Sequence, residues 1–242
     1  MNISTYTRYE ILRTVRNTRF FLFSLVFPLV LFLLVAGPNR HAQLGGIPFP
    51  VYYMSGMAAW GTMAAVIAGG GRIAAERAVG WNRQLRLTPL APRAYIGTKV
   101  LTGYVMALAS IVLLYSAGTS IGVRLSVARW ATMTALLLLG LVPFAAMGIA
   151  LGHVLTVESM GPAMGGITSL LALLGGAWGP IADGGALHRV VQLLPSYWLV
   201  QAAKSAVNGG GWPARGWLIM AGWTIALTSL AVRAYRRDTE RV

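Results

Sequence analysis

Between residues 72 and 99 the chain gathers most of the chemistry it has. The stretch ERAVGWNRQLRLTPLAPRAYIGTK (76–99), with Arg72 before it, holds one acid and six bases, a Trp and two prolines, and it lies between two long apolar runs. What reaction could such residues perform? A phosphate loop needs G-x-x-x-x-G-K-[ST]; Gly69-Gly70-Gly71-Arg72 lacks the Lys and the hydroxyl, so no Walker A nucleotide site is expected. No H-E-x-x-H occurs, and no Cys is present to ligate a metal or form a disulfide. His153, Glu158 and Ser159 cluster in sequence but fall in a turn outside the apolar runs, where a polar turn is a better reading than a hydrolytic pair. Asp183 and His188 suit a helix N-terminus rather than a metal site.

These residues must be positioned by apolar elements. The chain has 242 residues, 56% hydrophobic and 11% charged, whereas soluble domains average roughly 25% charged. It therefore reads as an all-α integral membrane protein. The net charge of +14 does not indicate a nucleic-acid binder, because the bases lie between runs long enough to cross a bilayer. Six segments are expected to span: about 20–37, 51–71, 99–119, 130–151, 160–179 and 216–233. The first is longer than a signal-peptide apolar region and lacks a clear cleavage site, so it reads as an uncleaved span. Pro143 lies inside the fourth. The fifth is rich in small residues (Gly161, Gly165, Ser169), which suits close helix contact.

Orientation follows the basic residues. Fourteen fall on the side of the N-terminus, the 72–99 loop and the tail, and six on the other, which places both termini and the loop in the cytoplasm. Two further segments are neither span nor loop. Residues 1–19 read as an amphipathic interfacial helix, with the arginines mostly opposite Tyr9 and Leu12; a solvated basic lead-in is the plainer alternative. Residues 187–210, broken at Pro195 and carrying Tyr197 and Trp198 as interfacial aromatics, read as short re-entrant or surface helices on the outer side.

The central parts of the six spans contain no ionisable residue. An ion-driven carrier ordinarily needs one, because such groups are costly in the membrane and are kept there for function. Energy for any transport must then enter from outside the spans. In the loop, Trp81, Leu85 and Thr88 recur at i, i+4 and i+7 and make one helical face, which Pro89 and Pro92 end. That face could lie on lipid headgroups or dock into a groove on a soluble partner; Glu76 and Gly80 favour docking.

The run Glu76-Arg77-x-x-Gly80-x-x-x-x-Leu85-x-x-Thr88-Pro89, followed by Tyr95 and Gly97-Thr98-Lys99, resembles the first cytoplasmic loop of ABC-2 type permeases, the membrane subunits of bacterial ABC exporters of the daunorubicin-resistance and drug- or lipid-export kind. The family pattern is roughly E-[RK]-x-x-G-x-x-x-x-L-x-x-[TS]-P; Trp81-Asn82 departs from the pair usual after the glycine. The resemblance extends over residues 1–242 as a single permease domain of the ABC-2 (type V exporter-like) fold.

It implies a coupling helix in the 72–98 loop, carried by Glu76, Arg77, Gly80, Trp81, Gln84, Leu85, Thr88 and Pro89. That helix would seat in two copies of a cytoplasmic ABC ATPase, which bind the ATP and Mg while this chain binds no cofactor. It also implies a second permease subunit, the same or a paralogue, in the plasma (inner) membrane. The substrate path would pass Met57, Trp60 and Met63 of the second span and Leu170, Leu173 and Leu174 of the fifth, although ordinary helix packing accounts for any one of them. The implied function is export of a hydrophobic or amphipathic compound such as a drug, antibiotic or lipid-like molecule. A non-transporting scaffold or sensor, or an intramembrane enzyme, are the rival readings.

Overall fold

A computed structural model describes residues 3–17, 22–44, 46–81, 84, 91–181 and 184–240. Helix α1 (Ile3–Val15) is followed by a π-helical turn (Leu22–Val26) leading into α2 (Phe27–Ala36). A two-residue antiparallel hairpin, β1 (Gln43–Leu44) with β2 (Ile47–Pro48), precedes α3 (Phe49–Ala78). There follow α4 (Pro92–Ser120), α5 (Val127–Gly140), α6 (Val142–Val154) and α7 (Val157–Gly175). Three short helices, α8 (Ala186–Val191), α9 (Pro195–Val200) and α10 (Ala202–Val207), lead to α11 (Ala214–Glu240).

Among the described residues five segments are long and apolar enough to cross a membrane: Phe49–Ala78, Arg93–Ser120, Val127–Val154, Val157–Gly175 and Ala214–Asp238. The chain is thus an all-α membrane protein. The first expected span appears as a shorter apolar helix, Ser24–Ala36, below the roughly 20 residues a crossing needs; residues 18–21 lie outside the description. Pro143 interrupts the fourth span. A proline ring clashes with the carbonyl four residues back, so α5 ends at Gly140 and α6 restarts at Val142 with the proline in its first turn. The third span starts earlier than expected, and Lys99 lies two turns inside α4 rather than at its entrance.

Helix α3 is the axis of the molecule, with nearly every residue from Pro50 to Gly70 buried. It packs against α2, α4, α6 and α7. Close approach to α6 depends on glycine: a Cβ on Gly70 would run into the Gly148 carbonyl oxygen, and one on Gly152 would stand 2.5 Å from the Gly70 oxygen. Backbones this near gain dispersion contacts that lipid tails cannot replace. Within this chain Gly161 and Gly165 of the fifth span have no close neighbour, whereas Gly175 at its end approaches the Ser196 backbone. Much of α7 is exposed within this chain, Leu170 and Leu173 by more than half.

The 187–210 segment differs from the expected interfacial belt. Trp198 is buried, its indole donates to the Gln192 carbonyl at 2.9 Å, and a Cβ on Gly216 of α11 would clash with it. Pro195 begins α9 rather than breaking a helix. Ser55 of α3 reaches Val200 at 3.4 Å, and the Tyr52 hydroxyl donates to the Gly176 carbonyl at 2.8 Å, so these short helices and the end of α7 are fastened to the start of α3.

Candidate coupling site

The loop that raised the coupling reading is rooted in the last turns of α3. Consecutive helical residues point about 100° apart, so Glu76 and Arg77 serve different neighbours. The Glu76 carboxylate is buried. Its Oε1 accepts from Lys99 Nζ at 2.6 Å and from Arg13 at 3.3 Å, and its Oε2 accepts from the Tyr95 hydroxyl at 2.7 Å.

The same Lys99 ammonium, 1% exposed, donates to Glu10 of α1 at 2.6 Å. Arg72 pairs with Glu10 at 3.3 Å and donates to Thr14 Oγ1 at 2.9 Å. Two carboxylates thus share a buried ammonium, with Arg72 and Arg13 completing the set. A buried charge is tolerable only when so paired and hydrogen-bonded. The Tyr6 phenol lies beside this set, and burial first, then the Glu76 and Glu10 charges, push its pKa well up, so it stays neutral. The Tyr6 and Tyr95 rings pack on Ile73 beneath it.

This arrangement revises the picture of α1. Its buried stripe is Tyr6, Glu10 and Thr14, spaced by four, and these bind the ends of α3 and α4. Tyr9 and Leu12 face away from the chain, as an interfacial helix requires, while Thr7 and Thr98 hydroxyls meet at 3.1 Å.

Arg77 serves a different face. It pairs with Asp238 of α11 at 2.7 Å and donates to the carbonyls of Gly152 and Leu155 at 3.0 and 3.3 Å. Asp238 also meets His153 Nδ1 at 2.9 Å, and the His153 ring stands edge-on to Tyr235. His153 is therefore a buried strut between α6 and α11, not a polar turn residue. Ser159 is occupied in a reciprocal cap with Thr156 that starts α7. Gly185 occupies the N-cap of α8, while His188 lies within the helix and contacts Gln192 at 2.6 Å; Asp183 lies outside the described residues.

Gly80 ends α3 with φ +70°, a left-handed conformation that strains any residue bearing a Cβ. The chain then turns back into a helical bond, Gln84 N–H to the Gly80 carbonyl at 3.4 Å. Trp81 and Gln84 are exposed, and Trp81 lines a cavity of about 220 Å³ together with Tyr9, Arg13 and Glu76. Leu85, Thr88 and Pro89 lie outside the described residues, so of the amphipathic face Trp81 alone is seen.

The substrate-path residues divide. Met57 and Met63 are in the core at 0% and 1% exposure. Trp60 meets Phe27 and Trp178 edge-on at 5.6 and 5.3 Å and borders a cavity of about 490 Å³ between α2, α3 and α7. Leu170 and Leu173 face outward, Leu174 is half-buried, and the cavity wall on α7 comprises Gly161, Met164, Gly165, Thr168 and Ser169 instead.

Glu10 and Asp238 escaped sequence reasoning as site residues. Their ionic partners lie 62 or more positions away, but a chain with six acids in all offered a signal: each acid near an apolar run had to be spoken for.

A membrane protein with a bundle of apolar helices and its buried ionic contacts gathered at one end has the outline of a transporter membrane subunit. Residues 47–233 match the family model of the ABC-2 family transporter proteins. YvfS, a proposed transport permease of Bacillus subtilis (strain 168), is 28% identical over 236 residues, covering 96% of each chain. The chain belongs to the ABC-2 transporter family.

Proposed function

We propose that this chain is the permease half of an ATP-driven exporter, carrying a hydrophobic or amphipathic compound out of the cytoplasm. A separate ABC ATPase, in two copies, powers it, and a second permease subunit completes the pore. Both termini and the 72–98 loop lie in the cytoplasm, in a plasma membrane. The observation that carries the reading is the double anchorage of the loop's root. Through Glu76 the end of α3 is bound to α1 and α4, and through Arg77 to α6 and α11. A push on Trp81, Gln84, Leu85, Thr88 or Pro89 would therefore reach five helices, with Gly80 setting the direction of the turn. Glu76 and Arg77 act here as anchors of the coupling helix rather than as its docking face. The absence of ionisable residues from mid-span supports a power source outside this chain.

The test is reconstitution with the partner ATPase in vesicles. Gly80→Pro and Leu85→Asp should insert and fold, yet export at a small fraction of the wild-type rate per ATP hydrolysed. A scaffold would show no ATP-dependent export in the wild type, and an intramembrane enzyme would turn over without ATP. Inserted Leu85→Asp protein with undiminished export would sink the coupling assignment.

A further inference from the structure

A second cavity, of about 660 Å³, opens between the starting turns of α4, the kinked α6 and the end of α11. It shares no lining residue with the Trp60 cavity. Its walls are mostly apolar, with Gly97 and Val100 from α4, Ile149 from α6 and Val232 from α11, and Tyr104, Thr228 and Tyr235 add the few polar atoms. At its mouth stand two arginines, Arg93 and Arg236, both exposed. Among the described residues neither guanidinium has an ion-pair partner, and no acid lines the groove.

The groove runs inward along α4 from Arg93 to Tyr104, about 16 Å at 1.5 Å per residue. One leaflet of hydrocarbon is about 15 Å deep, half of a roughly 30 Å core. A slot one leaflet deep, predominantly apolar and doubly cationic at the surface, matches an acyl chain below an anionic headgroup. Guanidinium groups bind phosphate oxygens through paired N–H donors. We infer that this groove is a binding site for an anionic phospholipid of the leaflet on the basic side of the protein, with its phosphate on Arg93 and Arg236. The lipid so placed spans α4, α6 and α11, whose ends at this face are otherwise joined to α3 through the Lys99 and Arg77 contacts.

Native mass spectrometry of the full-length protein, offered phosphatidylglycerol and phosphatidylethanolamine at equal concentration, tests this. Wild type should retain one phosphatidylglycerol in preference. The double variant Arg93→Gln/Arg236→Gln should bind it roughly 30-fold more weakly, from about a factor of five per arginine at a headgroup. Gly97→Phe fills the groove while leaving both arginines, and no atom lies within 4 Å of the Cβ it introduces, so the variant should fold and still lose the lipid. Thermal unfolding of each variant separates lost lipid from lost fold, and the surface arginine pair serves if Gly97→Phe proves unstable. Retention of phosphatidylglycerol at the wild-type level by both variants would assign it to the general lipid annulus and overturn the site. Equal retention of phosphatidylethanolamine, or displacement of the lipid by a transported amphiphile, would overturn the anionic-lipid assignment.

Discussion

Removing Lys99 would leave the Glu10 and Glu76 carboxylates, each 2.6 Å from its ammonium, facing one another in a buried site. Deleting one partner of a buried pair costs about 3–5 kcal/mol when the charge left behind is uncompensated; here the longer 3.3 Å contacts of Glu10 to Arg72 and of Glu76 to the exposed Arg13 offset part of that loss. Lys99→Met, which removes the shortest contact of both carboxylates at once, should still lower the thermal unfolding midpoint in detergent more than Glu76→Gln. The latter keeps a hydrogen-bonding side chain and leaves Lys99 with Glu10, a loss of about 1.5–3 kcal/mol for a charged hydrogen bond. Combining Lys99→Met with Glu10→Gln should cost less than the sum of the single losses, since both changes delete the same Lys99–Glu10 contact and the second removes a carboxylate that the first had left to Arg72 alone. Strict additivity in that cycle would show that the two do not share one ionic site. None of these pairings could be read along the sequence. Lys99 stands 89 residues from Glu10, and only the packing of α1 beside α4 brings them together.

At the scale of elements, hydropathy and length revealed the helices, because an apolar stretch sufficient to cross a bilayer is a property of local sequence. How they meet was less legible. The Gly-rich fifth span promised close packing at Gly161 and Gly165, yet within this chain its near backbone contacts come at its end, where Gly175 meets the Ser196 backbone and Ala177 meets Gly56, while α3 crosses α6 at Gly70, Gly148 and Gly152. A small residue permits close approach without naming a partner. Trp198 was misread for a related reason: its indole suits an interface, but the Gln192 carbonyl satisfies it in the interior. The loop was easier, since Gly80 sits where a helix must turn. A contrast between glycines tests the packing. Gly70→Val and Gly152→Val drive a side chain into a facing backbone and should each cost upwards of about 1–3 kcal/mol, with loss of monodisperse protein on size-exclusion chromatography. Gly165→Val meets open space and should leave yield and unfolding temperature of the isolated chain unchanged.

On the scale of the whole molecule, the contacts constrain the path even where the first apolar helix is short. The ion cluster holds α1 at the end of α3 that carries Arg72 and Glu76, while the β1–β2 hairpin precedes Phe49 at the other end. Those ends are separated by about 35 Å between Phe49 and Arg72 at 1.5 Å per residue. The chain between α1 and the hairpin must cover that distance, which supports a sixth crossing that includes α2 and its π-helical turn. With the fourteen-to-six division of bases, this gives an orientation that can be measured. The protein has no cysteine, so single cysteines report without background. In intact cells a membrane-impermeant maleimide should label Asn39→Cys, Arg124→Cys and Gly210→Cys, and should reach Gln84→Cys and Arg237→Cys only after lysis. Labelling of Asn39→Cys together with Gln84→Cys would mean that α3 does not cross. Protection of Asn39→Cys alone among the first three would require a path for residues 18–42 other than a sixth span. A full reversal of the pattern would overturn the placement of the loop in the cytoplasm, and with it the ATPase as the partner that pushes on Trp81.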